Sequence, residues 1–374
     1  MSDRILTTHT GSLPRPPDLI DLLEAHALGQ DVDAELLERR IAEEVTAIVR
    51  RQHACGIDIV NDGETSKHNY SAYVKDRLSG FTRDGKPRTI SALEEQDYPE
   101  YAARRLAAQA SIIVPVCEGP IAYVGQALLE RDCRNLRAAL AGVDVAGAFM
   151  SAASPGVVAR FIENRYYPSH EAYVFAIAEA MKTEYDAIHR AGFILQVDCP
   201  DLTGNRDIPG MVRGADYFQI HLDALNHALR DIPPEAMRMH LCWGNYEGPH
   251  HLDTPLRNII ERVFAARPAT ISIEAANPRH GHEWTVFRDI PLPAGRAVIP
   301  GVLDTTTNFI EHPEYVALRI EQFASVVGRE RVTAGTDCGF ATSARSSTVD
   351  PRVAWGKLAA MVEGARIASQ RLYA

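Results

Sequence analysis

Residues 170–200 read HEAYVFAIAEAMKTEYDAIHRAGFILQVDCP, and the fold follows from how this stretch is parsed. From His170 onward apolar residues return every three or four positions, the spacing of a helix with one buried face. Gly192 supplies a stop signal. The run FILQVDCP (193–200) then changes period, reads as a short strand, and ends on an acid, a cysteine and a proline. A helix feeding directly into a short apolar strand is one half of a repeating parallel βα unit.

The same alternation recurs along the 374 residues. Strand-like runs are ILTTHTGS (5–12), IDIVNDGE (57–64), GPIAYV (119–124), AGAFMSAASP (146–155), FILQVDCP (193–200), MHLCWGN (239–245), TISIEAA (270–276), AVIPGVLD (297–304) and VTAGTDCGF (332–340). Helical patterns separate most of them, among them 33–56 and 312–328, the first closed by a glycine stop. Some eight βα units predict an α/β protein of the (β/α)8 TIM-barrel class, a single domain over residues 1–374. Nine runs are one too many, so one must lie outside the barrel or be misread. The alternative is an open doubly wound sheet, but no G-x-G-x-x-G follows the first strand, which weakens a dinucleotide-binding version. The polar stretch 83–105 lacks a clean period and predicts an inserted excursion, a hairpin with a helix. TGNRDIPGMVRGAD (203–216) and NPRHGHEWTVFRDIPLP (277–293) follow strands. In a barrel both stand on the C-terminal face, where active sites are built.

Composition removes several function classes. Hydrophobic content of 46% and charged content of 24% suit a globular protein. No apolar run reaches the roughly 18 residues that a membrane span needs. The N-terminal MSDRILTTHTGSLPRP has no apolar signal region, which predicts a cytoplasmic protein. A net charge of -10 and the lack of a Lys/Arg cluster argue against nucleic acid. The 6 cysteines do not have the spacing of a disulfide framework. In a cytosolic enzyme such thiols are buried, catalytic or metal-bound.

Polar residues concentrate at the ends of the strand-like runs: Ser12, Asp62, Glu64, Asp198, His240, Cys242, Glu274, Asp304, Asp337 and Cys338. A barrel would converge them on one mouth. The plain alternative is that they terminate strands and cap the helices that follow. His240 and Cys242 stand two apart on a strand, so both side chains point the same way and can reach one ion. Glu274 and Cys338 hold matching strand-end positions. Zinc takes four ligands of these kinds, against the alternative of a buried histidine and inert thiols. Two thiolates, a carboxylate and a neutral imidazole leave Zn²⁺ with a formal charge of about -1. Such a sulfur-rich set suits activation of an incoming thiol, with Glu274 the ligand most readily displaced. It suits hydroxide attack on a carbonyl poorly.

These segments resemble, in order, the catalytic barrel of the cobalamin-independent methionine synthases. TTHTGSLPRP (7–16), VNDGE (60–64), GPIAYVGQ (119–126) and LQVDCPDL (195–202) resemble the family's first, second and third strand regions and its Asp/Glu-Pro motif. HLCWGN (240–245), SIEAA (272–276) and TDCGF (336–340) resemble its three zinc-bearing segments. The resemblance is to the short, single-barrel members. It implies a Zn²⁺ cofactor held by His240, Cys242, Glu274 and Cys338. It also implies that Ser12, Glu64 and Asp198 bind the amino-acid part of homocysteine. Glu64 could instead pair with Lys67 or cap a helix, and Asp198 could be a turn residue before Pro200. The family carries a histidine two residues after the aspartate of its GV-x-D strand end, assigned proton transfer to the departing folate. Here the aspartate is Asp304 and that place is held by Thr306, so this pair is the catalytic candidate and the folate reaction is in doubt.

The implied function is transfer of a methyl or other alkyl group to a small-molecule thiol. The implied partners are that thiol and an alkyl donor, with no nucleic acid and no membrane; a homo-oligomer stays open. Other short relatives resemble epoxyalkane:coenzyme M transferase. Its thiol carries a sulfonate and no amine, and would need Arg15 or Lys67 to offset Glu64 and Asp198. Further alternatives are corrinoid or other methyl donors, a zinc-dependent lyase or hydrolase with a carboxylate base, and a binding protein that kept the fold.

Overall fold

Helix signals and helix ends coincide closely. Asp33 accepts from Leu36 N and starts a helix at Ala34–Cys55, which stops at Gly56 with φ +90°. Its buried residues Leu37, Ile41, Val45, Ile48, Val49 and Gln52 form one stripe. Ser169 caps His170–Arg190 in the same way through Ala172 N. His312 caps Pro313–Val327 and Asp350 caps Pro351–Leu372. These last two helices pack closely because residue 364 is glycine. A Cβ there would lie 2.5 Å from Val316 Cβ.

The computed structural model describes residues 3–70, 72–82, 86–88, 96–108, 112–203, 217–343 and 348–374. Its eight barrel strands are β1 (Leu6–Thr7), β2 (Ile59–Val60), β3 (Gly147–Ala153), β4 (Ile194–Asp198), β5 (Met237–Leu241), β6 (Thr270–Ile273), β7 (Ala297–Leu303) and β8 (Thr333–Thr336). They are ordered β1-β8-β7-β6-β5-β4-β3-β2, and every neighbouring pair is parallel. The two ends of this order meet through the first strands. Asp58 N donates to Thr7 O at 3.2 Å, and Thr8 Oγ1 donates to Ile59 O at 2.9 Å. The result is the nearly closed (β/α)8 barrel that the sequence predicts. No helix among the described residues is long and apolar enough to cross a membrane.

Alternation along β4 and β5 separates the two environments. Leu195, Val197, Met237, Met239 and Leu241 join the main apolar core. Gln196, Asp198, Arg238 and His240 take the alternate positions and are also buried, with Gln196 and Arg238 reaching Thr10, Thr8 and His9 across the barrel interior.

Two expectations need correction. The surplus run is GPIAYV (119–124), which is not the third barrel strand; β3 holds that place. Its alternate residues are exposed, and its backbone pairs with the 77–79 segment through Ser79 N to Ala122 O and Val124 N to Arg77 O. Gly119 and Pro120 also make it a poor central strand. The excursion extends beyond 83–105: a strand at Lys86–Arg88 pairs antiparallel with Ile112–Val114, with the helix Pro99–Ala108 between them. The long loop at 203–216 lies outside the described residues after Thr203. The loop at 277–293 contains the short helix Val286–Asp289.

Candidate active site

The mouth is stitched together by backbone contacts from the ends of β1, β2 and β8. Ser12 O accepts from Phe340 N at 2.9 Å, and its Oγ accepts from Ala341 N at 3.3 Å. Arg15 is buried and donates to Ala341 O, Glu64 O and Lys67 O at 3.1, 2.6 and 3.1 Å. Gly339 leaves room for Ser12, since a Cβ there would lie 2.1 Å from Ser12 Oγ.

His240, Cys242 and Cys338 come together here. One ligand atom from each lies within 4.8 Å of the others, and all three residues are buried. The imidazole is oriented by Ser272 Oγ, 3.3 Å from His240 Nδ1, while His240 Nε2 has no hydrogen-bond partner among the described residues. Buried polar atoms are nearly always paired, so a nitrogen left bare beside two thiols fits a metal ligand. The thiols agree. A hydrogen bond with Cys338 holds Cys242 well below the ordinary thiol value, while the same contact pushes Cys338 well above it. Without a cation only one of the pair ionises readily; a divalent ion would let both do so.

Glu274 ends β6 at the same mouth but is not part of that three-residue group. Its Oε1 accepts from Trp243 N at 2.7 Å and its Oε2 from Asn277 Nδ2 at 2.8 Å. Burial, then the charge of Cys242, pushes its carboxyl well above the usual range. The loop carrying Asn277 is pinned by Asp337. Oδ1 of that carboxylate accepts from Ala275 N and Ala276 N, and Oδ2 accepts from Asn277 N and Nδ2. Beyond Trp243, the His280 ring stacks on the indole with centroids 4.2 Å apart. His280 also bonds Glu283 and Asp253. Burial works against its protonation, but these two carboxylates outweigh it and raise it to about 10. An imidazolium thus sits behind the strand end that bears Cys242.

Glu64 and Asp198 form a second polar pole. Glu64 is non-glycine yet left-handed, at φ +55°, a conformation that proteins retain where a side chain must be aimed. Gly11 leaves space for it, since a Cβ there would lie 2.6 Å from Glu64 Oε1. Ser151 Oγ donates to Glu64 Oε1 and accepts from Lys67 Nζ at 3.2 Å. Lys67 therefore reaches Glu64 through Ser151. Asp198 is the register neighbour of His240, and its Oδ1 accepts from Gln196 Nε2 at 2.8 Å. Burial, then the Glu64 charge, pushes Asp198 up to about 7. Asp62 rises to about 6, also chiefly by burial.

At the end of β7, Asp304 Oδ1 accepts from both Thr306 N and Thr306 Oγ1, at 2.7 and 2.8 Å. The two candidates form a closed turn. It is anchored through Asp304 N to Glu311, which is paired with the buried Lys357.

Ser151, Gln196, Asn277 and His280 did not stand out in the sequence as site residues. Ser151 and Gln196 lie within strand runs, and only knowing which strand face turns inward selects them. The loop NPRHGH held the signal for Asn277 and His280, but without an indication of which residues turn inward.

Parallel strands, a converged mouth, and a His/Cys/Cys cluster at the strand ends define a barrel enzyme with its chemistry at the C-terminal face. The family described as "Cobalamin-independent synthase, Catalytic domain" matches residues 5–101 and 159–366, and the chain belongs to it. It is thus an enzyme of the methionine synthase family. Among relatives, a protein named methionine synthase from Thermococcus kodakarensis is 24% identical over 98% of this chain and 94% of its own length. Another of that name from Saccharolobus islandicus is 24% identical over 98% and 95%. A solved B12-independent methionine synthase from Shewanella, in complex with selenomethionine, shares the fold at a TM-score of 0.74 and 21% identity, covering 99% of both chains.

Proposed function

We propose that the chain is a zinc-dependent alkyltransferase that methylates the thiol of an amino acid, homocysteine in the simplest case. The carrying observation is the bare, buried His240 Nε2 beside Cys242 and Cys338. Those three residues would hold Zn²⁺, with Glu274 as a fourth, displaceable partner. When bound there, Zn²⁺ supplies a Lewis acid that lowers the pKa of an incoming thiol into the neutral range.

The chain's own residues do the rest. Glu64 and Asp198 offer two buried carboxylates to an ammonium group; burial, then the Glu64 charge, raises Asp198 to about 7, and a bound ammonium would favour its ionised form. Ser12 Oγ accepts from Ala341 N and would donate its hydroxyl proton to the substrate carboxylate. The substrate sulfur forms the new bond to carbon as the bond from that carbon to the donor's leaving group breaks, the leaving group keeps the electron pair, and the thiol proton passes to solvent beforehand. Asp304 and Thr306 would line the donor side. Thr306 carries no proton that is acidic near neutral pH, so protonation of the leaving group falls to another group or to water.

The sulfonate reading is less well served. Arg15 donates to three backbone carbonyls, and Lys67 Nζ is held by Ser151. The test is a panel assay on the zinc-loaded chain, with product read by mass spectrometry. Homocysteine is offered with methyltetrahydrofolate or methylcobalamin, and coenzyme M with epoxypropane. Methionine is expected from at least one methyl donor. Product only from coenzyme M and epoxypropane would overturn the proposal.

A further inference from the structure

Beneath the mouth lies a guanidinium that hydrogen-bonds no carboxylate among the described residues. Arg238 precedes His240 by two residues on β5 and is 3% exposed. Its Nε donates to Gln196 Oε1 at 2.8 Å, Nη1 to Thr8 Oγ1 at 3.0 Å and Nη2 to His9 O at 2.9 Å. The Phe149 ring centroid lies 3.5 Å from its Cζ. All three acceptors are neutral. Burying a cation without a counter-charge is costly, and an apolar side chain would fill the same space without that cost. Retaining arginine here points to something that needs its charge or its donors.

Gln196 connects it to the site. A guanidinium has donors only, so the Gln196 oxygen must face Arg238 and the amide nitrogen must face away. That nitrogen donates to Asp198 Oδ1 at 2.8 Å and to Thr10 O. We propose that Arg238, acting through Gln196, is a positioning residue that sets the enzyme's preference for thiols bearing an amine. It locks the carboxamide so that Asp198 receives a donor on Oδ1 and directs Oδ2 to the ligand's ammonium group. Without Arg238 the carboxamide can flip and turn an oxygen towards Asp198, spoiling the acceptor that the ammonium needs. This inference rests on the amino-acid-thiol reading above.

Calorimetric titration of the zinc-loaded protein tests it without needing the alkyl donor. The two probes are homocysteine and 4-mercaptobutanoate, which is the same thiol without its amine. In the unaltered protein homocysteine should bind more tightly by about tenfold or more, the worth of a charge-assisted contact. In Arg238→Met, homocysteine should weaken by about tenfold or more while 4-mercaptobutanoate stays within about twofold, so the preference collapses. A merely structural role would weaken both probes alike. Gln196→Met gives the same test if Arg238→Met does not fold, and zinc content with thermal unfolding establishes that either variant is intact. A folded, zinc-loaded variant that keeps the unaltered preference would overturn the inference. An unaltered protein that shows no preference would instead overturn the amino-acid-thiol reading on which it rests.

Discussion

Cys338→Ala should purify folded but with less than about a tenth of the zinc of the unaltered protein, and Cys242→Ala should do the same. Each removes one of the three clustered ligand atoms and leaves an incomplete site. Folding should survive because both thiols lie at strand ends, outside the main apolar core. Cys199→Ala is the matched control. That thiol is fully buried and donates weakly to Val197 O at 3.5 Å, outside the cluster, so its loss should leave zinc content unchanged. Elemental analysis of dialysed protein checks all three. Full metal content in both cluster variants would remove the site assignment.

Asp337→Ala should lower stability by about 3–5 kcal/mol in urea unfolding, because buried donors left without partners each cost about 1–3 kcal/mol. The carboxylate serves three consecutive backbone amides, of Ala275, Ala276 and Asn277, at 2.7, 2.8 and 2.8 Å. It also holds the Asn277 side chain that donates to Glu274. Alanine leaves these groups buried and unanswered. Water cannot replace the carboxylate easily, since Asp337 is 3% exposed and packs against Gly301, where a Cβ would lie 2.0 Å from Asp337 Oδ1. The same variant should weaken zinc binding by about 10- to 100-fold through the loosened Glu274, the usual consequence of losing a partner behind a ligand. Unchanged stability would mean that the 275–277 turn is held by other contacts.

Asp337 also shows what the sequence could and could not convey. It stood among the polar strand ends, and its place at the mouth was legible from the βα repeat alone. Its task was not, because capping a turn some 60 positions earlier depends on the closure of β7 against β8. The helix boundaries were legible because their signals are local: Asp33, Ser169 and His312 cap the very amides that follow them. The GPIAYV run misled for the converse reason. Apolar alternation marks one buried face, and a segment lying on the 77–79 stretch has such a face as surely as a barrel strand does. His240 and Cys242 were paired by strand alternation, and the fold brings Cys338 to them. Glu274 ends β6 at the same mouth, and its oxygens accept from Trp243 N and Asn277 Nδ2, a detail of loop conformation that no spacing encodes. Arg238 and Gln196 were invisible for a different reason. Nothing in a strand-like run says that an arginine two residues before a candidate ligand will face the barrel interior without an acid.

On the proposed mechanism, the thiol substrate is activated at the His240–Cys242–Cys338 centre. Zinc X-ray absorption with and without homocysteine reads that activation at the metal itself. Added homocysteine should raise the sulfur count around zinc from two, supplied by Cys242 and Cys338, to three, with loss of an oxygen neighbour as Glu274 gives way. A sulfur count that stays at two while homocysteine is bound would rule out thiol activation at this centre.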